Sequence, residues 1–361
     1  MQMTKRKNSI LLAFYMQILL FYYLFSFLRL LLFPILVFCC IWTCWMLRKV
    51  KFRAIKMQCL YVYFLLALTI QFINTSITPF VLFLLLAPFF AYWIYTSLFR
   101  TSILRIFYYA MILLLLLLYF RHFTFSGVFA GLSENYVSVI LICNVVLIAA
   151  IEKKQNERIS ILPSLCAVPL SLLAFGRSGI ICSSALFLVF LFVNLMRLPK
   201  HRKYLLSSVL FLVLVIVVSY NYEQISDMLM NAEILAKFQK RGLKSPARGI
   251  LLNEYMAHIN GVTIFTGYHF DDNAWFAHYG FNPHNSYVRL HYRIGFVAFL
   301  LLGYVGVCMM KKVKKYPLFV FMLFIMMLRA YTDVYLFYGF YDFIVFYLLF
   351  ASEKTISNST V

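Results

Sequence analysis

Long stretches of almost uninterrupted apolar residues constrain the fold of this chain more than any other feature of its sequence. A helix needs about 20 apolar residues to cross the hydrocarbon layer of a bilayer. Nearly charge-free runs of this kind span residues 10–28, 30–47, 57–74, 79–99, 103–120, 136–151, 159–175, 179–196, 204–220, 294–310, 317–331 and 335–350. They predict an all-α polytopic membrane protein with about 12 transmembrane helices, folded as a single integral membrane domain over 1–361.

The composition excludes several other classes of protein. Hydrophobic residues make up 64% of the chain and charged residues only 12%, whereas a soluble domain is about half apolar and a quarter charged. A soluble enzyme, a disordered chain and a nucleic-acid-binding module are therefore excluded, in spite of a formal net charge of +21. We expect the cysteines, which lack metal-binding spacing, to act as small apolar side chains.

The positions of Lys and Arg along the chain predict its orientation. With the N-terminus inside, the cytoplasmic segments hold 22 basic residues and three acidic ones, and the outer segments hold 11 and nine. Cytoplasmic segments of membrane proteins carry such an excess of Lys and Arg. Both termini are therefore predicted to be cytoplasmic, in a bacterial inner membrane whose anionic lipids attract the positive charge.

One polar segment, residues 221–293, breaks this pattern between the ninth and tenth spans, on the outer side. It holds five of the seven histidines and six of the twelve acidic residues. Long connections in compact proteins are usually either functional or disordered. Because this one contains aromatic residues and a helix-like pattern over 247–260, we expect it to be a large periplasmic loop that carries the active site.

Two arginines on the outer side are candidates for binding an anion. Arg177 lies in the short link Gly176–Gly179 between spans seven and eight, and Arg248 begins the helix-like pattern. A guanidinium offers a planar fork of donors that matches phosphate oxygens, and the glycines beside Arg177 would let a phosphate approach the backbone. The alternative at Arg177 is an interface arginine that reaches toward water. The alternatives at Arg248 are an ordinary solvated charge on a loop helix and an ion pair with Glu254.

A histidine just before span ten is the candidate base. His284 lies in the segment 282–288, and its ordinary pKa near neutrality suits it to accept a proton from a sugar hydroxyl. The alternative is a structural histidine at a helix start that Asn285 or Ser286 caps. A metal site is a competing interpretation, because zinc prefers such ligand types. Its candidate ligands are His269, Asp271, Asp272, His278 and His284. Their spacing matches no metal-binding motif, so neither a metal nor another cofactor is expected.

In order and placement, these features resemble the O-antigen ligase/polymerase family, whose members transfer lipid-linked glycans at the outer face of the bacterial inner membrane. The resemblance covers the layout of the whole chain and, as motifs, residues 170–305. Its motifs are Gly176–Gly179, Arg248 with a helix and the turn at Gly267, and Pro283–Tyr287 before the helix that carries Gly295. The chain departs from the family in having no tryptophan just after Arg248, no acidic residue just before Gly295, and a single glycine at the turn.

The resemblance implies an inverting, metal-independent glycosyl transfer. Its donor would be an undecaprenyl-pyrophosphate-linked oligosaccharide, with Arg177 and Arg248 binding the pyrophosphate and His284 as the catalytic residue. Membrane lipids and a chain-length regulator protein are candidate partners, and nucleic acid is not. The favoured function is an O-antigen or related surface polysaccharide polymerase. The alternatives are a ligase that moves the chain to lipid A-core and, in another class, a flippase for the lipid-linked sugar, which would need polar groups within the spans.

The orientation can be measured with reporter fusions. A reporter that is active only outside the cytosol is expected to be active when fused within residues 221–293, because the distribution of basic residues places that segment outside. A fusion within residues 311–315, which hold four lysines, serves as the inactive control. Cytosolic reporter activity from the 221–293 segment would contradict the predicted orientation and the site with it.

Overall fold

The computed structural model describes residues 2–46, 65–73, 80–125, 128–129, 133–199, 246–337 and 339–351. This part of the chain is 78% helical and contains no strand. The predicted all-α class is therefore confirmed for the described residues. Run 204–220 and most of run 57–74 lie outside them.

Helices occupy both the apolar runs and the polar segment that follows them. In the first part of the chain these are α1 (Gln2–Leu24), α2 (Arg29–Met46), α3 (65–73), α4 (Phe80–Thr96), α5 (Thr101–His122), α6 (Tyr136–Lys154), α7 (Ile161–Leu173) and α8 (Arg177–Met196). The later ones are α9 (Pro246–Ala257), α10 (Thr263–Thr266), α11 (Ala274–His278), α12 (Ser286–Ile294), α13 (Val297–Lys312), α14 (Pro317–Thr332) and α15 (Asp342–Ala351). The predicted helix over 247–260 is present as α9.

Four of the described helices are long and apolar enough to cross a membrane. They are Thr4–Leu24 within α1, and α5, α6 and α8. Ser26–Trp42, α7, α14 and α15 are apolar but shorter. Helix α6 is almost entirely buried among the other helices, so it is the centre of the bundle. The chain thus has the character of a helical membrane protein.

Two of the predicted spans are helical over only part of their length. Run 294–310 is interrupted at Gly295, where α12 ends and α13 begins two residues later. Run 335–350 becomes helical only at Asp342. The backbone before it is held differently, because the Ser286 hydroxyl accepts hydrogen bonds from the N–H groups of Tyr335 and Leu336. Apolar composition alone does not distinguish a helix from buried backbone whose polar groups are satisfied by other side chains.

At one end of the bundle lie the residues that flank the basic segments. The Arg100 N–H donates to Ser9 Oγ over 2.7 Å, which joins the start of α1 to the link between α4 and α5. Thr101 Oγ1 donates to Glu157 over 2.6 Å, which adds the end of α6. Lys154 of α6 lies 3.9 Å from the ring centroid of Tyr95 in α4. The basic segments next to these helices therefore share one end.

The opposite end brings together the starts of three helices and the end of a fourth. Tyr136, at the start of α6, donates to the Val334 carbonyl over 2.5 Å. Thr332, at the end of α14, donates to Ser178 in α8 over 3.0 Å. Ser286, at the start of α12, donates to the carbonyl of Asp333 over 2.7 Å. Of the segment 221–293, residues 221–245 lie outside the described ranges, and residues 246–293, called the outer segment after their predicted side, pack on this end. They have a small core of their own formed by Leu251, Tyr255, Phe270, Phe276, Val288 and Tyr292.

Two glycines let the turn at Gly267 approach the junction between α12 and α13. Gly267 and Gly295 have φ angles of +86° and +51°, in the region that residues with a side chain rarely adopt. A Cβ on Gly267 would lie within 2.4 Å of the His291 carbonyl, and a Cβ on Gly295 would overlap the Phe265 carbonyl. The turn and the junction therefore contact each other through backbone.

Replacing Gly295 with alanine is expected to destabilise the protein by more than about 1 kcal/mol, because the position needs a positive φ and has no room for a Cβ. The matched control is Gly303→Ala in α13, where a Cβ would meet no atom within 4 Å. Thermal unfolding of the purified proteins in detergent measures the difference. Equal melting temperatures for the two variants would contradict the close backbone contact.

Candidate functional site

His284 is held in a strained backbone conformation directly before α12. Its φ is +49°, which is uncommon for a residue with a side chain and is a feature of functional sites. Two asparagines hold this turn. Asn282 Oδ1 accepts from the His284 N–H over 2.9 Å, and Asn285 Oδ1 accepts from the N–H groups of Tyr287 and Val288. The predicted cap by Asn285 is thus confirmed, and the His284 imidazole takes no part in it.

The three predicted site residues, Arg177, Arg248 and His284, lie at the end of the bundle on which the outer segment packs. Arg177 is the first residue of α8, and Arg248 lies in the first turn of α9. Burial lowers the pKa of Arg248, the carboxylate of Asp333 opposes this, and the charges of Arg329 and Arg177 lower it further. A guanidinium keeps its charge under such conditions. The site therefore gathers three cationic side chains and one carboxylate.

The His284 imidazole interacts with the same groups. Burial lowers its pKa, the carboxylate of Asp333 raises it, and the charge of Arg248 lowers it. The net direction is down from the ordinary value near 6.5, so the ring is neutral at pH 7 and can accept a proton. No residue within the described ranges hydrogen-bonds to this ring.

A buried ion pair beneath these residues was not among the sequence candidates. Arg329 Nη2 lies 3.3 Å from Asp333 Oδ2, and both side chains are fully or almost fully buried. The same guanidinium donates to Thr332 Oγ1 over 2.8 Å and to the Asn135 carbonyl over 3.1 Å. A charge at the end of an apolar run could have identified the pair, because ionisable residues within a membrane mark functional sites. The run 317–331 contains that charge at Arg329.

The glycines beside Arg177 do not have the role expected from the sequence. A Cβ on Gly176 would lie 2.7 Å from Asn135 Oδ1, and a Cβ on Gly179 would overlap the side chain of Ser138. Both glycines therefore face α6 at close range, as small residues do where membrane helices pack. The expectation that they open the backbone to a phosphate is wrong, and their effect is to fix the start of α8 against α6.

The predicted alternative partner of Arg248 is engaged elsewhere. Glu254 Oε1 accepts from Asn273 Nδ2 over 2.9 Å and lies 3.6 Å from His258 Nδ1. Glu254 thus stabilises the outer segment.

The candidate zinc ligands do not form a cluster. His269 Nδ1 lies 3.8 Å from Asp271 Oδ2, but Asp271 also accepts a hydrogen bond of 2.9 Å from the Tyr292 hydroxyl. Among the described residues, no three His, Cys, Asp or Glu side chains are close enough together to hold a metal ion. The metal interpretation therefore has no support in the described part of the site.

A second histidine fixes the outer segment to the bundle. His291 Nε2 donates to the Ile264 carbonyl over 3.0 Å, and Nδ1 accepts from the Tyr255 hydroxyl over 2.7 Å. The neutral ring protonated at Nε2 makes both contacts, and burial favours that neutral form because it lowers the pKa of His291. Tyr255 belongs to α9, so the contact sets the position of Arg248 relative to α12 and His284.

Comparison with known proteins finds no match: no protein-family model, no curated protein and no solved structure is similar to the chain. The fold and the site therefore define the class by themselves. It is a helical membrane protein with a half-buried cationic site and a neutral imidazole at the end of the bundle opposite the basic segments. Such an arrangement can bind an anion and remove a proton from a neighbouring hydroxyl.

Replacing Asp333 with asparagine is expected to lower the pKa of His284 further, because the carboxylate raises that pKa. The rate at which diethyl pyrocarbonate modifies His284, followed against pH by mass spectrometry, measures the shift. Asp272→Asn, an exposed change in the same segment, is the control and should leave the profile unchanged. An unchanged profile in Asp333→Asn would show that the two groups do not interact.

Proposed function

We propose that the protein is an O-antigen or related surface polysaccharide polymerase. In this proposal it transfers an undecaprenyl-pyrophosphate-linked glycan onto a lipid-linked repeat unit, at the periplasmic face of a bacterial inner membrane. The chain would cross that membrane about twelve times, as its apolar runs predict. The observation that carries the proposal is the convergence of Arg177, Arg248 and the neutral His284 at one site.

The charges of the site suit a diphosphate. Three guanidiniums (Arg177, Arg248 and Arg329) and one carboxylate (Asp333) act on one another there, which leaves a surplus of two positive charges. A diphosphate joined to a lipid and a sugar carries two negative charges. Because Arg248 is half-buried, its attraction for such an anion is screened less than at an open surface.

The proposed reaction is a single displacement at the anomeric carbon of the donor. A hydroxyl oxygen of the acceptor forms the new bond to that carbon while the bond to the pyrophosphate oxygen breaks. The hydroxyl proton passes to His284, and the bonding electrons leave with undecaprenyl pyrophosphate. Arg177 and Arg248 stabilise the charge that develops there, and one preplaced donor of this kind contributes about 3–4 kcal/mol. No cofactor enters this scheme.

The topology of the bundle is compatible with this assignment. Segments rich in Lys and Arg flank one end, and the candidate site lies at the other. If the basic end faces the cytosol, the site faces the periplasm, where lipid-linked repeat units would be joined. The same geometry serves a ligase that transfers the chain to lipid A-core. A deletion strain separates the two, because a polymerase mutant still attaches a single repeat and a ligase mutant attaches none.

A carrier for the same lipid-linked sugar is a second candidate, favoured by the buried Arg329–Asp333 pair. Ionisable groups within the membrane are typical of transport pathways. Proteoliposomes that contain only this protein distinguish the two functions. Polymer formed from lipid-linked repeats supports the enzyme, and movement of the substrate without bond formation supports the carrier.

Removing either site arginine is expected to abolish polymer while the protein remains in the membrane. Arg177→Ala and Arg248→Ala should each slow polymerisation about 10²–10³-fold, because each removes a donor to the leaving group. Lysine should not restore activity at either position, since a point charge lacks the planar fork. Banding of the surface polysaccharide in the complemented deletion strain is the measurement.

The control for this series is Arg121→Ala, which removes an exposed arginine from the last turn of α5. It should leave the banding unchanged. Membrane levels of every variant are compared by immunoblot. A normal polymer length with Arg177→Ala at a normal membrane level would defeat the proposed role of that residue.

A further inference from the structure

The outer segment carries an exposed apolar tip, formed by residues 262–265. Residues 259–268 contain no Asp, Glu, Lys, Arg or His. Within the tip, Val262 is 70% exposed and Phe265 is 58% exposed. Contiguous apolar surface of this kind marks a place where a protein contacts another protein or a membrane.

The tip continues an apolar stripe on a helix of the bundle. The ring of Phe265 lies 5.5 Å from that of Phe296, which lies 6.2 Å from that of Phe299. Further exposed apolar side chains follow along one face of α13 at helical spacing, namely Leu300, Tyr304, Val307 and Met310. The stripe runs along the run 294–310, for which the sequence predicts a membrane span. The tip and this exposed face of α13 therefore form one continuous apolar surface.

The backbone of the tip satisfies its own hydrogen-bond donors. Asn260 Oδ1 accepts from the N–H groups of Val262 and Thr263. The next four N–H groups, those of residues 264–267, donate to carbonyls of Asn260, Val262 and Thr263. A loop in water has no need of this, but a segment in lipid does, because the hydrocarbon offers no partners.

The tip is also fixed in position. The Ile264 carbonyl accepts from His291 Nε2, and the Phe265 carbonyl accepts from the Phe296 N–H, each over 3.0 Å. Gly295 brings the two backbones together. The tip therefore cannot turn its apolar side chains away from the surface of α13 without breaking these contacts.

We propose that the apolar tip inserts into the membrane leaflet next to the outer segment, where it contacts the acyl chains of bilayer lipids. Aromatic side chains favour this interfacial depth. The anchor holds the segment that carries Arg248 and His284 against the lipid surface. It goes beyond the proposed polymerase function and does not depend on it.

Tryptophan fluorescence tests the proposal in the full-length protein. Phe265→Trp is compared with Asn253→Trp, an exposed position on α9. Each protein is placed in vesicles of phosphatidylethanolamine and phosphatidylglycerol containing phosphatidylcholine brominated on its acyl chains. The emission of the parent protein, which has four tryptophans, is subtracted. The added signal at 265 should be blue-shifted, largely quenched by the bromines and protected from acrylamide, and the signal at 253 should show the reverse.

Two results would overturn the proposal. One is a signal at 265 that acrylamide quenches and bromines do not, which would place the tip in water. The other is bromine quenching that disappears when unbrominated polyprenyl phosphate is added, which would assign the surface to a substrate tail. The readout needs no substrate and no activity, so failure of the polymerase proposal would leave it intact.

Discussion

The ion pair between Arg329 and Asp333 is the interaction on which the candidate site depends. Burying two charges costs more than their attraction returns unless further hydrogen bonds satisfy them. Here the guanidinium reaches Thr332 and the start of α6, and the backbone of Asp333 accepts from Ser286 of α12. Since Thr332 also donates to Ser178 of α8, satisfying the pair fixes the ends of four helices relative to one another.

This arrangement makes the site an electrostatic unit. Asp333 neutralises one of the three guanidiniums that act there and raises the pKa of His284. The carboxylate thereby offsets part of the repulsion that Arg248 experiences from the charges of Arg329 and Arg177. The lowered pKa of His284 follows from the same burial, so the features that concentrate positive charge also keep the imidazole neutral.

The sequence predicted those parts of the site that depend on neighbouring residues in the chain. The segment Asn282–Asn285 contains both side chains that hold the turn at His284, and the helical pattern at Arg248 corresponds to α9. The parts it missed depend on distant contacts. Arg329 donates a hydrogen bond to the carbonyl of Asn135, which lies 194 positions earlier in the chain. A pattern of apolar residues in the sequence does not reveal such a long-range contact.

The errors have the same physical origin. The run 335–350 is as apolar as a span, yet Ser286 satisfies the backbone N–H groups of residues 335 and 336, which makes a helix unnecessary there. Gly176 and Gly179 were correctly singled out as positions of close approach. The neighbour that lies against them is α6 rather than a phosphate. A glycine in the sequence shows that space is needed at its position, but it does not show what fills that space.

The site is divided between two parts of the molecule that fold on different cores. Arg177, Arg329 and Asp333 belong to the helix bundle, whereas Arg248 belongs to the outer segment, whose small core surrounds Tyr255. His291 joins the two, since its ring contacts Tyr255 of α9 and the Ile264 carbonyl at once. The neutral tautomer protonated at Nε2 makes both contacts. His291 therefore links the helix that carries Arg248 to α12, and its burial favours the neutral ring by lowering its pKa.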